Sequence, residues 1–168
     1  MELIEFQQAA ERTAARKNPK DDAEHFGLGL IGEVGELADL IKKIRFQGHP
    51  VDDEKIEEEL SDILWYLATT ASTFEWELEI PPLIHEVGEE KLLQIVSSLA
   101  LEVAHFYFQI IMGHHNIEQQ FITVTLEYSL LLSWFEKSPQ ELADVVNEKL
   151  KKRYPDGFDT QASIERGQ

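Results

Sequence analysis

The sequence contains no cysteine, which excludes disulfides, thiolate metal sites and a cysteine nucleophile. Basic residues are scarce: 15 Lys and Arg stand against 32 Asp and Glu, a net charge of −17. With no basic surplus to displace counterions, binding to nucleic acid through its phosphates is disfavoured, as is binding to an anionic membrane. Small anionic substrates stay open, provided a bound cation and a few placed Lys or Arg reverse the local field. The start, MELIEFQQAAERTAARK, lacks the apolar core of a signal peptide. A cytoplasmic protein is expected.

Strand signals are missing too. No stretch alternates apolar and polar residues between hairpin turns, whereas helical periodicity runs through most of the chain. The 168 residues suit one domain. The expected fold is all-α, an antiparallel bundle of about six helices. Their predicted spans are 2–16, 23–46 with Asp22 as cap, 53–77 after Asp52, 89–112, 117–137, and 138–153 opened by the capping box Ser138-Pro139-Gln140-Glu141. Gly48-His49-Pro50 ends the second helix, and the residues from Tyr154 onward read as a turn and tail. Ile95–Met112 is apolar almost all round, but Ser97, Ser98, Glu102, His105 and Gln109 interrupt it. It falls short of a membrane span of about 20 apolar residues and reads as a helix buried on several sides, in a bundle core or a dimer interface.

What the chain does have is paired acid. The second helix carries Glu33-Val34-Gly35-Glu36 and the third carries Glu59-Leu60-Ser61-Asp62. Positions i and i+3 share a helix face, so each helix offers two carboxylates on one side. Leu30, Val34, Leu37 and Ile41, facing Ile56, Leu60, Ile63 and Leu67, supply a packing stripe. A short turn makes the two helices antiparallel and brings the pairs level to within about a helical turn. Four converging carboxylates repel one another unless compensated. A hard divalent cation such as Mg²⁺ is their natural partner, because it takes oxygen ligands and shares them with substrate phosphates. Lys42 and Lys43, about two turns beyond the first pair, are candidate phosphate contacts.

GLGLIGEVGELADLIKK followed by EEELSDILWYLA resembles the MazG-like all-α nucleoside triphosphate pyrophosphohydrolases, whose signature is E-x-x-E, a spacer, then E-x-x-D. The likeness takes in Thr13, Asn18 and His25 and resumes in NEKLKKRYPDGF. It implies cleavage of a nucleoside triphosphate, ribo or deoxy, between the α and β phosphates with Mg²⁺, for which Mn²⁺ can substitute. It implies Glu33, Glu36, Glu59 and Asp62 as metal ligands, with Glu33 or Glu59 as the base that takes a proton from water. Asn147, Lys149 and Arg153 become phosphate candidates, and the family's two-subunit packing implies a homodimer.

The chain is expected to comprise a motif-bearing half (1–78), inserted helices (79–145) and a C-terminal helix end with tail (146–168). Residues 79–145 are either a degenerate repeat of the first half or two unrelated core helices. In the repeat alignment Glu102-Val103-Ala104-His105 answers Glu33-Val34-Gly35-Glu36, and Glu127-Tyr128-Ser129-Leu130 answers Glu59-Leu60-Ser61-Asp62. Two rivals stand beside the hydrolase reading. A di-iron carboxylate bundle would use Glu102-x-x-His105 but lacks its second Glu-x-x-His, so His105 is expected in the core. A non-enzymatic helical interaction module would use the apolar fourth helix.

Overall fold

The computed structural model describes residues 1–82, 88, 91–114 and 116–165. Among them are seven helices and no strand: α1 (Leu3–Glu11), α2 (Pro19–Gln47), α3 (Asp53–Thr73), α4 (Leu92–Ile111), α5 (Glu118–Phe135), α6 (Pro139–Arg153) and a short α7 (Thr160–Glu165). The chain is all-α, as its periodicity predicts.

The α2–α3 hairpin is the centre of the molecule. All eight residues of the predicted stripe, Leu30, Val34, Leu37 and Ile41 against Ile56, Leu60, Ile63 and Leu67, are buried. Burying a side chain of this size contributes roughly 1.5–3 kcal/mol, so this seam is the main force aligning the two helices. Gly48 ends α2 at φ 74°, a left-handed conformation that glycine adopts without strain, and the Asp52 side chain caps α3 by accepting from Lys55 N–H at 3.1 Å. On the other side of the seam α4 packs on α2, α5 on α4, and α6 on α3. The Tyr128 hydroxyl of α5 donates to Leu60 O at 2.8 Å inside the core.

Several boundaries differ from the sequence reading. The cap of α2 is Asn18, which accepts from Asp21 N–H with Pro19 in the first turn; Asp22 instead accepts from Lys17 N–H at 2.8 Å. Helix α1 stops at Glu11, and Thr13 turns its hydroxyl back onto Ala10 O. Helix α3 stops at Thr73 because Gln7 captures the chain beyond it, donating to Trp76 O and accepting from Leu78 N–H. The start predicted for the fourth helix, Glu89, lies outside the described residues. The tail contains α7 where only a turn was expected.

Within the single chain, helix α4 is buried on one face. Ile95, Val96, Leu99, Val103 and Phe106 enter the core, while Leu93, Leu101, Phe108 and Ile111 face outward. By length and composition α4 is apolar enough to cross a membrane. Its inner face nevertheless belongs to the same core cluster as α2 and α3.

Candidate active site

The packing of α2 against α3 decides where the acid goes. Val34, Leu37, Leu60 and Ile63 point into the seam, so the carboxylates beside them emerge together at its edge. There Glu33, Glu36 and Glu59 each offer an oxygen within 4.8 Å of the others. The cluster lies in a cleft of about 460 Å³ that Glu58, Asp62, Lys149 and Arg153 also line. Every donor in the cluster is a carboxylate oxygen, the donor set that Mg²⁺ or Mn²⁺ prefers, so a hard divalent cation fits.

Asp62 sits beside this triad but is turned to α6. Its Oδ2 accepts from Lys149 Nζ at 2.5 Å, and the same ammonium lies 2.9 Å from Glu58 Oε1. Lys149 is thereby placed at the acidic end of the cleft, with Arg153 one turn further along α6 on the same wall.

The electrostatics follow from burial and crowding. Burial, reinforced by the charges of Asp62, Glu36 and Glu59, pushes Glu33 up to about 7. Burial, then Glu36, Asp62 and Glu58, push Glu59 up to about 7 as well. Asp62 is also raised by burial, which its hydrogen bond from Lys149 only partly offsets. For Lys149 burial works against the charged form, but hydrogen bonds and charge from Asp62 and Glu58 together hold it above the usual lysine value. Without a cation, Glu33 and Glu59 thus hold their protons to higher pH than an ordinary glutamate does.

The other predicted phosphate contacts lie elsewhere. Lys42 and Lys43 do not line the cleft: both pair with Asp39 on their own helix, Lys43 at 2.7 Å. Asn147 is buried on α6 and does not line the cleft either.

The resemblance takes in Thr13 and His25, but sequence reasoning did not place the other residues in the rest of the cleft wall. It includes Tyr66, Tyr154, Phe158 and Ser163, besides Thr13, His25 and Trp65. The Trp65 indole donates to Thr13 Oγ1 at 3.2 Å and meets the Tyr66 ring edge-on with centroids 4.9 Å apart. Tyr66 lies so close to α2 that a Cβ on Gly29 would come within 2.0 Å of its ring. The cleft therefore has an acidic end and an aromatic end.

The di-iron constellation does not assemble among the described residues. Glu102 is engaged by Gln120 Nε2 at 2.5 Å, and His105 is exposed, not in the core, 3.0 Å from Gln109. Neither joins the carboxylate cluster.

Residues 22–87, which contain all four carboxylates, match the MazG nucleotide pyrophosphohydrolase domain family. No curated protein and no solved structure matches the chain.

Proposed function

We propose, for a chain that residues 22–87 make a MazG-like nucleotide pyrophosphohydrolase, that it cleaves a nucleoside triphosphate between the α and β phosphates in a reaction requiring Mg²⁺ or Mn²⁺. One observation carries this reading: Glu33, Glu36 and Glu59 converge to within 4.8 Å inside a cleft that also holds two cationic side chains.

Glu33, Glu36 and Glu59 would hold the cation, joined by Asp62 once its carboxylate is freed from Lys149. A bound divalent cation supplies charge that offsets the phosphates and makes a nearby water a stronger nucleophile. The protein's own residues do the rest. Glu33 or Glu59 takes the proton from the attacking water through a carboxylate oxygen that the cation does not engage. Lys149 and Arg153 pair with phosphate oxygens and fix the chain of phosphates against the acidic end. Trp65 and Tyr66 flank the opposite end, where a nucleoside is the only part of the substrate left to place.

The outer face of α4 and α5 supports a homodimer. Leu101, Phe108, Met112, Leu126 and Leu130 are exposed on one hairpin whose α4 carries no charged side chain but Glu102. Such a face lets a chain of charge −17 meet its own copy without bringing like charges together. Light scattering at micromolar protein should give twice the chain mass, and a Leu101→Glu, Phe108→Glu variant half of that.

The catalytic reading is tested by metal replacement. Exhaustive EDTA treatment should abolish pyrophosphate release from a panel of nucleoside triphosphates, and Mg²⁺ or Mn²⁺ should restore it. Full turnover after chelation would sink the proposal.

A further inference from the structure

Besides Trp65 and Tyr66 of α3, the aromatic end of the cleft is built by residues after α6, held in place by Arg12 at the end of α1. Arg12, just past the end of α1, donates from its guanidinium to Tyr154 O at 2.7 Å and to Pro155 O at 3.2 Å. Its own carbonyl accepts from Phe158 N–H at 3.2 Å. Between these contacts the chain reverses at Gly157, whose φ of 101° suits glycine alone; a Cβ there would also meet Arg12 O at 3.2 Å. The result is a latch across 142 residues of sequence that fixes one short loop.

Two rings ride on that loop. Tyr154 and Phe158 have centroids 5.6 Å apart and both line the cleft. Tyr154 is 6% exposed and sits in the wall, whereas Phe158 is 38% exposed and presents its ring to the opening. Arg12 does not itself line the cleft, so its influence on a ligand must pass through this loop. Arg153 is the last residue of α6, before the loop, so its place rests on the helix and not on the latch.

We propose that Arg12 is a positioning residue for substrate: its Nη1, shared between the carbonyls of Tyr154 and Pro155, sets Phe158 against the nucleoside end of a nucleotide whose phosphates occupy the acidic end. This rests on the proposed hydrolase function. An aromatic face stacks on any base and contributes about 1–3 kcal/mol, so loosening it weakens nucleoside-dependent binding and leaves the phosphate end intact.

The test compares wild type, Arg12→Ala, Phe158→Ala and the double variant on the triphosphate that wild type cleaves best, with Mg²⁺. Inhibition by the matching monophosphate and by pyrophosphate reads the two ends of the cleft separately. Arg12→Ala should raise KM and the monophosphate inhibition constant about tenfold, change kcat less than about threefold, and leave pyrophosphate inhibition unchanged. Phe158→Ala should act in the same way, and the double variant should be no worse than the worse single, because both act on one element. Gly157→Ala, which strains the latch without removing a charge, should move KM in the same direction and stands in if Arg12→Ala does not fold. Effects that multiply in the double variant, or equal weakening of monophosphate and pyrophosphate, would overturn the proposal. So would an active wild type indifferent to all these changes. A wild type that cleaves no nucleotide overturns the hydrolase reading itself, and this proposal with it.

Discussion

Lys149 Nζ lies 2.5 Å from Asp62 Oδ2, joining the last long helix to the fourth carboxylate of the site. Each group offsets the other's burial. The ammonium is also the cation best placed to meet a substrate phosphate, so substrate and Asp62 compete for it. Lys149→Met should therefore raise KM by at least about tenfold, the scale of one charge-assisted contact, with the fold retained. Steady-state kinetics with circular dichroism checks this. An unchanged KM would confine Lys149 to a structural ion pair.

The carboxylates of the triad should behave as ligands rather than as struts. Glu36→Gln or Glu59→Gln removes an oxygen anion from the cluster and should lower turnover by at least about a hundredfold, roughly 2.7 kcal/mol in the barrier. In EDTA the same changes relieve like-charge repulsion, so thermal stability should hold or rise. A large fall in melting temperature without metal would mark these residues as structural.

The raised carboxylates also give the metal-free protein a signed pH dependence. Glu33 and Glu59 stand at about 7 in the folded chain, against an ordinary glutamate value of 4.5. Between those values the folded state binds more protons than the unfolded one, so stability falls as pH rises through the window. Melting temperature in EDTA, followed from pH 4.5 to 7.5, should fall more steeply for wild type than for Glu33→Gln, Glu59→Gln. Saturating Mg²⁺ should remove the difference. Parallel curves in EDTA would contradict the assignment.

The α4–α5 hairpin should support the site without joining it. Tyr128 of α5 touches Leu60 between Glu59 and Ser61, yet Glu102 is taken up by Gln120 and the answering positions of the other two acids are His105 and Leu130. Glu102→Gln with Glu127→Gln should lower turnover by no more than about tenfold, or about 1.4 kcal/mol. Severe loss in a folded double variant would reopen a role for the second hairpin in the chemistry.

How much of this was legible in the sequence depends on the range of the contacts. The α2–α3 seam was legible because both partners carry their own periodicity, and the short turn fixes their register. The carboxylate cluster came with it, since Glu33, Glu36 and Glu59 flank residues of that seam. Asn18 was passed over for Asp22, although Pro19 after it was the available cap signal. Asp39, placed three and four residues before Lys42 and Lys43, was the signal that those lysines are already paired. The outer face of α4 was not legible, because an apolar composition does not say which side meets a partner. Nor was the Arg12 latch, whose two halves lie at opposite ends of the chain and follow no local pattern.

The central claim is settled most directly by identifying products. Wild type would be incubated with Mg²⁺ and its best triphosphate in ¹⁸O-enriched water, and ³¹P NMR would follow every phosphorus. The account predicts nucleoside monophosphate and pyrophosphate in equal amounts as the first products, none of either in EDTA, and little from Glu59→Gln. Nucleoside diphosphate with orthophosphate, or cleavage that persists without metal, would contradict it.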